Sequence, residues 1–224
     1  MHHKQYTLDN LGYMISYPDN FDETKTYPVI FFMHGAGNRG NDINKLFDNA
    51  YFQILPTHKD FPFITVAPHC SADTWFELWQ PLKNLVHHIT TLPFVDVSRI
   101  YLMGVSMGGY GAWQLGMSLP QYFAAMVPIC GGGMYWNADQ LVNVPVWAFH
   151  GGKDDIVFPE ESIKMVNAVN KYGGNAKLTI YEDSLHSVWF KVYPDQAVYD
   201  WLLSHKNENT KALINLYDDL ESYG

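Results

Sequence analysis

The chain has 224 residues, 47% hydrophobic and 17% charged, which is long enough for one sizeable core and short for two. Lys and Arg number 14 against 23 Asp and Glu, a net charge of -9, and the arginines are Arg39 and Arg99 alone. The clustered cationic face of a nucleic-acid binder is therefore missing, and no apolar run approaches the roughly 18 residues of a membrane span.

Short apolar runs alternate with longer amphipathic stretches along the chain. Residues 6–8 and 13–16 read as two leading antiparallel strands, and 27–33, almost wholly apolar, as the next strand. Strands are expected again over 63–67, 100–103, 125–129, 144–149 and 177–181. Runs apolar on both faces belong to a parallel sheet covered by helices on each side. Helices are expected over 78–92, 107–119, 159–172 and 195–204; the third opens on Pro159 and stops at Gly173-Gly174, as helix chemistry prefers. Two leading strands followed by alternating strands and helices fit a doubly wound, mostly parallel α/β sheet of about eight strands, a single domain. The tail 207–224 places Ala212, Leu213, Leu216 and Leu220 at helical spacing, a terminal helical extension laid on the body, with a homodimer contact as the second reading.

The sharpest local signal is Gly104-Val105-Ser106-Met107-Gly108, a G-x-S-x-G pattern directly after one expected strand and directly before an expected helix. A nucleophilic serine needs a sharp strand-to-helix turn, and glycines two before and two after let neighbouring chain pass close by. The helix that follows aims free N-terminal amides at the reacting oxygen. His34-Gly35-Ala36-Gly37 follows the strand over 27–33. An oxyanion hole needs a second backbone N–H besides that of Met107, and Gly35 or Ala36 can present it, with His34 bracing the loop. His150-Gly151-Gly152-Lys153-Asp154-Asp155 follows the strand over 144–149, and either aspartate could serve as the acid of a triad. His186 follows the last strand by a short loop and suits the general base. The order Ser106, aspartate, His186 is the hydrolase order. The adjacent pair His87-His88 points two ways on a helix and reads as ordinary helix-face residues, and no Cys-x-x-Cys or His-Glu-x-x-His spacing for a metal occurs.

These stretches, with Ala67-Pro68-His69-Cys70 and Cys130-Gly131-Gly132-Gly133, resemble the α/β-hydrolases from about residue 17 to 201. Within them the chain is similar to the compact esterases related to feruloyl and acetyl-xylan esterases, often labelled "predicted peptidase". The family pattern His-Gly-x-x-Asp-x-x-Val falls on His150, Gly151, Asp154 and Val157, so the resemblance implies Asp154 as the acid. It also implies a serine-nucleophile ester hydrolase without metal or organic cofactor. Asn38 departs from the pattern, which commonly has an acidic residue there.

Trp75, Trp79, Trp136 and Trp189 fall in loops at the sheet's C-terminal edge, where such folds bind ligands, and are expected to wall an aromatic cleft for an aryl ester or a sugar. No insertion is long enough for a cap domain. Cys70 and Cys130 should end non-neighbouring strands and remain free thiols. The expectation is a carboxylesterase acting on a small-molecule ester, with no nucleic-acid or membrane partner. The N-terminus has no apolar secretory core, which points to the cytoplasm and to soluble fragments as substrates. Two alternatives stand beside it: a peptidase with the same triad, and a non-catalytic carbohydrate-binding relative.

Overall fold

The computed structural model describes residues 1–209, which build one eight-stranded sheet. In chain order the strands are β1 (His2–Leu8), β2 (Leu11–Tyr17), β3 (Tyr27–Met33), β4 (Ile64–Pro68), β5 (Val95–Val105), β6 (Ala125–Ile129), β7 (Val146–Gly151) and β8 (Ala176–Tyr181). Their spatial order is β1-β2-β4-β3-β5-β6-β7-β8. Strand β2 runs antiparallel to both of its neighbours, and the pairings from β4 through β8 are parallel.

The period of two along each strand sends alternate residues into two cores. From β3, Val29, Phe31 and Met33 join one core, and Ile30 and Phe32 join the other. Helices α2 (Trp79–Thr90), α3 (Met107–Ser118) and α4 (Glu160–Lys171) cover the first face through Leu82, Leu85, Ala112, Trp113, Met165 and Val169. The short helices α1 (Ala50–Ile54) and α5 (Trp189–Val192), with α6 (Gln196–Leu203), cover the second through Tyr51, Val192, Tyr199 and Leu202. Both faces of the central strands are thus dry, which is why their sequences are continuous apolar runs.

Two expectations change, the start of β5 and the helical crossovers. Strand β5 begins five residues earlier than expected, because Asp96, Ser98 and Arg99 interrupt the apolar run; Asp96 accepts from the Ser98 hydroxyl at 2.7 Å and from Arg99 Nε at 2.6 Å. Two crossovers lack full α-helices. The β3–β4 connection is made of 3-10 turns and the single turn of α1, and the β6–β7 connection is a 3-10 segment, Tyr135–Leu141. The helical tail expected over 207–224 lies outside the described residues except at its start, where the Asn207 amide N–H reaches the Ser98 carbonyl oxygen at 2.8 Å. Both cysteines are free and buried, on strand ends that are not neighbours. Among the described residues no helix is long and apolar enough to cross a membrane.

Candidate active site

The parallel strands all end at one rim, so loops far apart in sequence meet there. Ser106 sits between β5 and α3 with φ 56° and ψ -119°, a left-handed conformation that a residue with a side chain rarely adopts. Two glycines make this turn sterically feasible. A methyl on Gly104 would strike the Gly108 carbonyl, and one on Gly108 would strike the carbonyl oxygen of Met33. The Ser106 amide donates to the Ile129 carbonyl at 2.8 Å, which anchors the elbow to β6.

Asp154 and His186 reach the same point from β7 and β8. Gly151 and Gly152 let the two loops touch, because side chains there would meet the backbone of Ser184, Leu185 and Glu182. His186 Nδ1 lies 2.7 Å from Asp154 Oδ2, and His186 Nε2 lies 2.8 Å from Ser106 Oγ. The other carboxylate oxygen, Oδ1, accepts from the amides of Ile156 and Val157 at 3.0 Å each. Burial pushes the Asp154 pKa up, but the bonds from His186, Val157 and Ile156 outweigh it and hold it below the ordinary carboxylate range. An ionised carboxylate can only accept. Nδ1 of a neutral His186 therefore carries the proton, and Nε2 is left to accept from the serine hydroxyl. The neighbouring Asp155 is exposed.

The loop after β3 faces the serine from the opposite side. Gly35 lies against the Val105 carbonyl and Ser106 Cβ. Buried His34 braces this loop. Its Nε2 accepts the Cys70 amide N–H at 3.0 Å, so Nδ1 is the protonated nitrogen and donates to the Gly35 carbonyl oxygen at 2.7 Å. Burial lowers the His34 pKa to about 4, which keeps the ring neutral. A trans peptide points its N–H opposite to its C=O, so the Ala36 N–H is turned away from His34. Of the two candidates on this loop, Ala36 thus has its amide oriented by a fixed neighbour. Met107 opens α3, where a first-turn N–H has no intrahelical partner. Asn38, the departure from the family pattern, stitches the loop: its side chain donates to the Lys45 carbonyl at 2.7 Å and accepts from Asn49 at 2.8 Å.

A cavity of about 470 Å³ holds Ser106 and His186. Its walls include Gly35, Ala36, Ile156, Trp189, Phe190 and Tyr193, with Asn38, Asn49 and Gln53. The Trp189 ring stands edge-on to His186, centroids 5.4 Å apart. The other three tryptophans expected there, Trp75, Trp79 and Trp136, do not line it. Trp75 is wholly buried and donates its indole N–H to the His34 carbonyl at 3.0 Å, so it packs beneath the loop and does not face a cleft. Trp79 lines a second cavity of about 570 Å³ with Phe76, Tyr110, Gln114, Gly133 and Met134. Trp136 is 63% exposed and packs edge-on against Tyr135. Sequence reasoning passed over Ile156, Phe190 and Asn49. Ile156 and Phe190 each carry a signal, a large apolar side chain beside a polar loop, whereas Asn49 lies in a segment without a motif.

Donor atoms of Cys130, His150 and Asp154 all lie within 4.8 Å of one another, the spacing of a metal cluster. Each is engaged already. The Cys130 thiol donates to the His186 carbonyl at 3.1 Å, and burial first, then the Asp154 charge, push its pKa up to about 12. A metal bound here would displace the bonds that hold Asp154.

A sheet of this strand order, with a strained serine elbow after β5, is the sheet of an α/β-hydrolase. The chain belongs to the dienelactone hydrolase family, whose model matches residues 10–213. A solved thermostable esterase is 28% identical, with a TM-score of 0.75 over 92% of this chain and 63% of that one. Est1E from Butyrivibrio proteoclasticus is 17% identical, with a TM-score of 0.69 over 90% of this chain and 98% of its own. Among curated proteins, dipeptidyl-peptidase 5 of Schizosaccharomyces pombe is 23% identical over 85% of this chain and 35% of its own length. The chain spans between about a quarter and a third of the length of the curated relatives it matches.

Proposed function

We propose that the protein is a serine carboxylesterase that hydrolyses small esters with aromatic or carbohydrate-linked groups, of the feruloyl or acetyl esterase kind. The observation that carries this reading is the unbroken hydrogen-bond chain from Asp154 through His186 to Ser106 Oγ, open to a largely apolar cavity. Ser106 Oγ attacks the ester carbonyl while His186 Nε2 takes its proton. The amides of Met107 and Ala36 receive the developing oxyanion, each worth about 3 kcal/mol of barrier. His186 then protonates the leaving alcohol, and water it activates releases the acid from the acyl-enzyme. Throughout, Asp154 holds the ring and offsets the imidazolium charge. No step in this scheme calls on a metal or cofactor. Est1E has been solved with ferulic acid bound, which supports an aryl acyl group for a cavity walled by Trp189 and Phe190.

The curated relatives favour a second reading, a peptidase using the same three residues. Matched substrates separate the two. With one acyl group presented as a p-nitrophenyl ester and as an anilide, the ester should turn over and the anilide should not. Ser106→Ala should lose both turnover and labelling by a fluorophosphonate. Comparable anilide turnover would transfer the assignment to a peptidase, and an unlabelled wild-type protein would end both readings. A small-molecule ester as partner and the cytoplasm as location are part of this proposal.

A further inference from the structure

We propose that His150 is a positioning residue for Asp154, gripping the carboxylate on the oxygen it shares with His186; this rests on the triad reading above. The imidazole lies at the end of β7, and both its side chain and that of Asp154 are fully buried. His150 Nε2 is 2.8 Å from the Val157 carbonyl oxygen and 3.2 Å from Asp154 Oδ2. Both of those atoms only accept, so Nε2 carries a proton; it is donated to the Val157 carbonyl, and Asp154 Oδ2 lies beside the same N–H in electrostatic contact. Val157 in turn donates its amide to Asp154 Oδ1. A closed ring results, from His150 to the Val157 carbonyl, through the Val157 amide to Oδ1, and from Oδ2 back to His150.

The ring gives a physical meaning to the spacing His150, Asp154, Val157. The aspartate closes the turn that follows it, and the histidine fastens the far end of that turn to the strand. His150 is itself fixed from the other side. The Ser162 hydroxyl of α4 lies 2.7 Å from Nδ1 and 2.9 Å from the Gly131 carbonyl oxygen. Gly131 packs on the backbone of Gly109 in α3, three residues after Ser106. One side chain therefore connects the turn holding Asp154 to the helices on the covered face.

A histidine that merely filled space would not need both nitrogens engaged. Without it, Oδ1 would still be held by two amides, but Oδ2 would be held by His186 alone. The carboxylate plane would then be free to rock about its last bond. A displacement of about 1 Å in a catalytic group costs on the order of 10²-fold in rate, so a partial release of Asp154 should cost about 10-fold. The loss of a donor also leaves more charge on Oδ2, which strengthens its hold on the His186 imidazolium. The other titratable groups facing this cluster are Cys130 from the end of β6, Tyr110 from α3 and Glu161 from α4.

The test uses His150→Leu, which removes the donor, and His150→Gln, whose amide can supply one at a similar reach. Each is followed by ester kinetics and by NMR titration of the His186 ring without substrate. The expected result for His150→Leu is a kcat about 10-fold lower at unchanged KM, with the His186 titration moved upward from its wild-type position. His150→Gln should recover most of both. A His186 titration that does not move in the leucine variant, or moves equally in both variants, overturns the proposal. The NMR arm does not depend on turnover. A wild type that hydrolyses no ester, yet shows this shift and its rescue, would refute the esterase reading and leave the positioning role standing.

Discussion

The two halves of the site are held in place by different physics. The serine half is fixed by backbone sterics. Ser106 occupies a left-handed turn, Gly104 and Gly108 vacate the volume around it, and the turn is anchored by one main-chain bond to Ile129. The acid-base half is fixed by side-chain hydrogen bonds. Asp154 accepts from His186, Ile156 and Val157, and His150 and Ser162 stand behind it. A sterically fixed half should fail by losing the fold when it is crowded, whereas a hydrogen-bonded half should fail by losing rate while the fold survives.

Asp154→Asn tests the second half with the largest expected effect. The amide can donate where the carboxylate only accepted, which favours the wrong His186 tautomer, and kcat should fall on the order of 10⁴-fold. Circular dichroism should stay at wild-type, and exposed Asp155→Asn should remain within about 2-fold of wild-type by the same argument from contact. Equal losses in both variants would mean that the choice between the aspartates is wrong.

Gly108→Ala tests the first half. The added methyl would fall on the Met33 and His34 carbonyls, backbone that cannot rotate away. A stability loss on the order of 3 kcal/mol is expected from such overpacking, read from the urea midpoint. Ser106→Ala should leave that midpoint nearly unchanged. A stable Gly108→Ala protein would show that the elbow can give, and would weaken the contrast between the halves.

Acid probes the brace under the serine half. The folded pKa of His34, about 4, lies below the 6.5 of the unfolded chain. Between those values the unfolded state binds a proton that the folded state refuses. Stability is therefore complete above pH 6.5 and declines as pH falls toward 4, by up to about 3 kcal/mol from this residue. Burial lowers the His150 and His69 pKa values as well, so they act in the same direction. Urea midpoints that stay flat from pH 7 to 4 would contradict neutral burial of these rings.

The same division explains what could be read from the sequence. Steric demands leave local signatures: Gly104-Val105-Ser106-Met107-Gly108 announces its turn, and dry strands such as 125–129 announce themselves as unbroken apolar runs. Hydrogen bonds between distant residues do not. Nothing near Ser162 signals that its hydroxyl would meet a ring twelve positions earlier, and the choice between Asp154 and Asp155 needed a family pattern. Strand β5 hid its first half because Asp96, Ser98 and Arg99 put half-buried polar residues into its run. The 3-10 crossovers hid because they carry no 3.6-residue period. Aromatic residues misled for a further reason. A tryptophan is equally good as cavity wall and as core, so Trp75 and Trp189 look alike until their surroundings are known.

That ambiguity frames the smallest of the expected effects. Trp189 borders the cavity beside His186, while Trp79 lines a separate cavity with Phe76 and Met134. Trp189→Ala removes an aromatic face worth about 1 kcal/mol and some apolar area, so KM for an aryl ester should rise about 10-fold with little change in kcat. Trp79→Ala and Trp136→Ala should leave KM for a small aryl ester within about 2-fold, because neither ring touches the volume where the acyl group would sit. If Trp79→Ala raises KM as much as Trp189→Ala does, the two cavities work as one extended site along α3. The alcohol side of the substrate would then lie against Tyr110 and Gln114.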